Sequence, residues 1–179
     1  MQVVTLESYQ SEYTVIRQII RALLWITILI VFLPLHPLMP GIGGDYSWMF
    51  GMNTAVAQGL TFGKDVVFPL GPYASVYTKT YHPGTDHLMM FGGLVLAIFN
   101  IIILLNLTRH KTIVWHILFI AFFSAGMFSR DVLLFMYPLL LALYVFQIIP
   151  RDNKAPRLNF QTKVICAFLY IPFGLLLLL

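Results

Sequence analysis

The residues able to do chemistry are gathered in one polar interruption of an otherwise apolar chain, residues 40–87. Asp45 comes first, in GIGGDYSW, where Gly41, Gly43 and Gly44 let the backbone turn sharply and hold a carboxylate in place. Such a carboxylate could take a proton from a hydroxyl as a general base, or could simply be the N-cap of the helix that follows. Farther along, FGKD sets Lys64 beside Asp65, and FPLGPY forms a rigid turn at Pro69 and Pro72. Lys64 could neutralise a phosphate as a point charge. Tyr46, Asp65, Tyr73 and Tyr77 are the candidates for substrate contact; Tyr73 and Tyr77 could stack on a sugar ring or sit at headgroup level. His82, Asp86 and His87, in YHPGTDH, offer nitrogen and oxygen donors to a divalent cation, but they match no known metal spacing. No cofactor is expected beyond that candidate cation. A second polar turn, Ser129-Arg130-Asp131, adds another acid beside a cation able to pair with it or to meet a phosphate.

The elements that position these groups are hydrophobic. Of the 179 residues, 59% are apolar and 10% charged, against about 25% charged in soluble domains. The excess collects in runs close to the ~20 residues needed to cross a bilayer. The reading is an all-α, polytopic membrane protein with five transmembrane helices. Residues 1–18 form a polar, interfacial or disordered lead, and span 1 covers 19–39, with Pro34 and Pro37 kinking or stopping its far end. A long loop at 40–87 follows, with an amphipathic helix at 46–58 that can lay Trp48, Met49, Met52 and Val56 on one side. Spans 2, 3 and 4 cover 88–107, 112–128 and 132–149, a connector covers 150–163, and span 5 covers 164–179. Asn100, Asn106, His110 and His116 read as interhelical hydrogen-bond partners or interfacial groups.

The basic balance, +4 formal charge, marks topology and not a nucleic-acid face, because the cations sit at the ends of the apolar runs. With the N-terminus in the cytoplasm, Arg17, Arg21, Arg109, Lys111, Arg151, Lys154, Arg157 and Lys163 lie inside. Only Lys64, Lys79 and Arg130 lie outside, which puts the long loop on the outer face. The lone Cys166 excludes an intrachain disulfide and a cysteine metal cluster. The unflanked LLLLL at the end of span 5 suggests the N-terminal part of a longer protein.

The order of these features resembles the N-terminal module of the polytopic GT-C glycosyltransferases, which include the protein O-mannosyltransferases and the lipid A aminoarabinose transferases. The resemblance lies in GGDYSW, in NTAVAQGLTFGKDVVFPLGPYAS and in SRD: an acid after span 1, a helix, a turn of the Pro-Gly-Pro type (Pro69-Leu70-Gly71-Pro72), and a second acid between spans 3 and 4. It departs from the family in lacking a second acid beside Asp45 and an Asp-x-Asp pair at Asp131, and the family's later spans are absent from these 179 residues. It implies transfer of a sugar from a polyprenyl-phosphate donor to an acceptor on the outer face of a bacterial inner membrane. Asp45 and Asp131 would be the catalytic acids, and Lys64 and Arg130 would meet the donor phosphate. The partners implied are the bilayer, the lipid-linked donor and an acceptor. Two other classes fit the composition: a non-catalytic membrane scaffold and a transporter subunit. The paucity of ionisable groups within the spans weighs against the transporter.

Overall fold

A computed structural model describes residues 6–148, together with Ala167 and Tyr170. The expected connector at 150–163 and, those two positions apart, the fifth apolar run at 164–179 lie outside the described residues. Six helices follow one another among the described residues: α1 Leu6–Phe32, α2 Gly44–Ala57, α3 Ala74–Thr78, α4 Asp86–Thr108, α5 Ile113–Gly126 and α6 Arg130–Ile148. Among the described residues there is no strand, only two isolated bridges.

The first helix begins well before the expected span. No glycine or proline occurs between Leu6 and Leu33, so nothing interrupts helical bonding where the polar lead meets the apolar run. Its end is where the prolines put it. Pro34 bars Leu33 from the helical region, and the Leu33 amide makes the closing bond to Leu29 O at 2.8 Å.

Among the described residues three helices are long and apolar enough to cross a membrane: Tyr13–Phe32, Asp86–Thr108 and Asp131–Ile148. The run expected at 112–128 folds as α5 over fourteen residues. At 1.5 Å per residue it reaches only about 21 Å, against a hydrocarbon core of about 30 Å. Pro138 sits inside α6 without ending it.

Helix α4 is the centre of the bundle, packing on α1, α3 and α6, while α5 lies along α1. The inward stripe of α1 is Leu24, Ile28 and Val31, spaced one and two turns apart. It meets Leu96, Ile103 and Leu104 of α4 and Met136, Tyr137 and Leu140 of α6 in one core. Gly93 lets α4 come in: a Cβ there would stand 2.7 Å from Phe32 O, so no larger residue allows this approach to the last turn of α1. Small residues at such contacts are the usual way helices associate in lipid, where burial of apolar surface gives no drive.

The outward faces are apolar as well, with Ile26 51%, Phe135 67% and Phe146 70% exposed. In water each such side chain would forgo roughly 1.5–3 kcal/mol of burial. Hydrocarbon removes that cost, and the outward faces therefore fit an integral membrane protein.

Asn100 and Asn106 do not bridge helices. Each donates its amide to the carbonyl one turn back in α4, Leu96 O and Ile102 O, both at 2.8 Å. A short amide in an apolar helix finds that acceptor without leaving its own backbone. His116 does bridge, accepting at Nε2 from Arg21 Nε of α1 at 3.3 Å, with Nδ1 3.2 Å from Thr112 O.

Candidate functional site

Every carboxylate among the described side chains, Asp45, Asp65, Asp86 and Asp131, lies at one end of the bundle, the loop end where α1 stops and α4 starts. The long loop is attached there through its main chain. Leu38 donates to Lys79 O and accepts from Tyr81 N, both at 2.8 Å, a single parallel bridge tying the exit of α1 to the stretch before α4. Helix α2 rests on that bridge: Asn53 Nδ2 donates to Thr80 O at 3.1 Å, and the Thr80 hydroxyl reaches Met49 Sδ at 3.3 Å. The far end of α2 closes on Gly59 at φ 69°, with Gly59 N bonded to Val56 O and Leu60 N to Ala55 O. That paired closure needs a left-handed residue, and glycine adopts it without a Cβ clash.

Asp45 is not the N-cap. Gly43 holds that position, with φ 137° and no side-chain cap bond, and Asp45 stands in the first turn of α2. With two helical residues lying where the cap was expected, its exposed carboxylate turns sideways and accepts from Trp48 Nε1 at 3.4 Å. Trp48 in turn stacks on Phe68 at 5.4 Å. The helix is less amphipathic than expected. Met49, Met52, Asn53 and Ala55 are buried, but Tyr46 and Phe50 make its open face apolar too.

Tyr77 and Asp131 are brought together from 54 positions apart, the hydroxyl donating to Asp131 Oδ1 at 2.5 Å. This bond joins α3 in the long loop to the first turn of α6. Tyr73 precedes α3 and packs against the core. Arg130 opens α6 next to Asp131 in the backbone. Lys64 is exposed at the tip of a tight turn over Thr61–Val66, and Asp65 holds that turn by accepting from Thr61 N at 2.9 Å. Lys64 and Asp65 therefore shape the loop surface and stand apart from the Tyr77–Asp131 pair in their bonding.

The three metal candidates do not converge. Among the described residues no group of three His, Cys, Asp or Glu side chains is placed to hold an ion. His82 instead accepts from Gly84 N at 3.1 Å and leans on the Phe50 ring, Asp86 lies in the first turn of α4, and His87 is exposed.

One functional group escaped the sequence reading as a site residue. Lys79 follows α3 at φ 53°, a left-handed conformation rare for a residue with a Cβ, and its ammonium donates to Val31 O in the last turn of α1. Burial lowers its pKa from the ordinary lysine value. Nothing in its surroundings, Tyr77-Thr78-Lys79-Thr80, marks it in sequence, because both its burial and its acceptor come from a helix 48 positions away. Comparison with protein-family models, with curated proteins and with solved structures found no match to this chain.

Proposed function

We propose that this chain belongs to a membrane glycosyl-transfer machinery, with its loop end as the place where a polyprenyl-phosphate sugar meets its acceptor. The reading includes five spans with the N-terminus in the cytoplasm and the loop on the outer face of a bacterial inner membrane. The observation that carries it is the Tyr77–Asp131 bond. It supports the reading because it joins the two polar loops that the resemblance requires to act together.

In this proposal the acceptor hydroxyl oxygen attacks the anomeric carbon, and its proton passes to the Asp45 carboxylate. The bond from that carbon to the phosphate oxygen breaks, and the electron pair leaves with the polyprenyl phosphate. Asp45 suits the base because the indole bond from Trp48 is long, which leaves carboxylate lone pairs open to a hydroxyl. Asp131, held by Tyr77, positions the substrate. Lys64 and Arg130 are the cations that would meet the leaving phosphate.

Transfer of radiolabelled sugar from a polyprenyl-phosphate donor, in membranes holding equal amounts of each variant, tests this. Asp45→Asn keeps the shape and removes the base, so turnover falls about 10²–10⁴-fold. Asp131→Asn gives an intermediate loss and Lys64→Ala a smaller one. Full turnover by Asp45→Asn removes it from the site and puts the non-catalytic scaffold ahead.

A further inference from the structure

Where α1 ends against the turn between α5 and α6, the structure holds a cleft of about 440 Å³. Its walls are apolar, formed by Ile30, Val31, Pro34, Leu38, Met127 and Leu133. Among the described residues the one lysine or arginine on its lining is Lys79, with His36 also present. The ammonium spends one of its three N–H bonds on Val31 O. Desolvation is the sole cause of its lowered pKa, with no carboxylate contributing. Asp131, the acid at the start of α6, has its own partner in Tyr77.

A cation partly withdrawn from water loses more than one backbone carbonyl returns, so a half-buried lysine without a counter-anion is an arrangement that an anion completes. The left-handed backbone sharpens the point. Glycine would hold φ 53° without strain, yet a lysine stands there, on the lining of an apolar cleft. A cleft of this kind matches a ligand with a charged head and a hydrocarbon tail, and the surrounding bilayer supplies such molecules.

We infer that this cleft binds an anionic phospholipid of the surrounding bilayer, with Lys79 on its phosphate oxygens and the apolar walls along the first carbons of its chains. The inference is independent of sugar transfer, since it needs only the membrane and the geometry of the cleft.

The test uses the full chain in detergent, with phosphatidylglycerol or phosphatidylcholine added and bound lipid counted by native mass spectrometry. Phosphatidylglycerol is expected to bind about tenfold more tightly than phosphatidylcholine, the worth of one charge-assisted pair. Lys79→Gly suits the left-handed turn, so it keeps wild-type helix content by circular dichroism and loses that preference, while Lys79→Arg retains it. Met127→Glu, which sets an anion on the opposite wall, also lowers phosphatidylglycerol binding. Millimolar inorganic phosphate leaves the lipid adduct in place. Equal binding of the two lipids, or an undiminished preference in both Lys79→Gly and Met127→Glu, overturns the inference. Displacement of the lipid by phosphate alone also overturns it, by making the cleft a free-anion site.

Discussion

At the end of the bundle where α4 stops, long side chains from the middle of α1 hold the helices together. Arg17 donates to Arg109 O at 2.7 Å and to Lys111 O at 3.4 Å, and Arg21 reaches Arg109 O at 3.3 Å as well as His116. These carbonyls follow the last turn of α4, where a cation also meets the negative end of the helix dipole. At the loop end main-chain contacts share the holding, through the Leu38 bridge and the close contact of Gly93 with Phe32 O, beside the side-chain bonds of Asn53, Tyr77 and Lys79. The difference bears on function. Arg17 and Arg21 at the first end are committed to carbonyls and to His116, whereas Asp45, Lys64, Asp65 and Asp131 at the loop end stay exposed.

The largest expected effect separates the two ends by compartment. In a Cys166→Ser background, Lys64→Cys at the loop end reacts with an impermeant thiol reagent in intact cells, and His110→Cys at the other end reacts only after permeabilisation. Reaction of both before permeabilisation would place the ends on one side of the membrane and break the comparison.

Next comes the packing contact. Gly93→Val drives a Cβ to 2.7 Å from the Phe32 carbonyl, which cannot move without unwinding the end of α1. A cost of about 1–3 kcal/mol is expected in denaturant unfolding in mixed micelles, the range for overpacking a fitted contact. Arg21→Gln is the smallest. It gives up charge-assisted bonds at a partly solvated site, and about 1 kcal/mol remains after screening. If Arg21→Gln proves more damaging than Gly93→Val, side chains and not backbone contacts are what hold this bundle.

The features legible in sequence were those set by composition and by proline. Span 2, expected at 88–107, folds as Asp86–Thr108, and Pro34 ends α1 as its chemistry requires. Errors arose where a local rule met a neighbour in space or a missing breaker. The lead at 6–18 is helical because no residue there can stop a helix. Asp45 missed the cap because the glycines before it place the helix start two residues earlier. The partners of Tyr77 and Lys79 lie 54 and 48 positions away, and no local pattern reports such pairings. Asp131 was visible as an acid in a turn; its clamp was not.

The brevity of α5 has a consequence for the membrane itself. A helix of about 21 Å lies along one whose apolar stretch, Tyr13–Phe32, runs about 30 Å, so the two sides of one small protein match different hydrocarbon depths. Were α5 to cross the bilayer, lipid beside it would thin or draw its headgroups inward, at fractions of a kcal/mol per ångström of mismatch. Phe128, 94% exposed just past the end of α5, extends its apolar reach by a single ring. A membrane already thin at that spot would then deform least, so bilayer thickness, and not only its chemistry, would select where this chain rests at lowest cost.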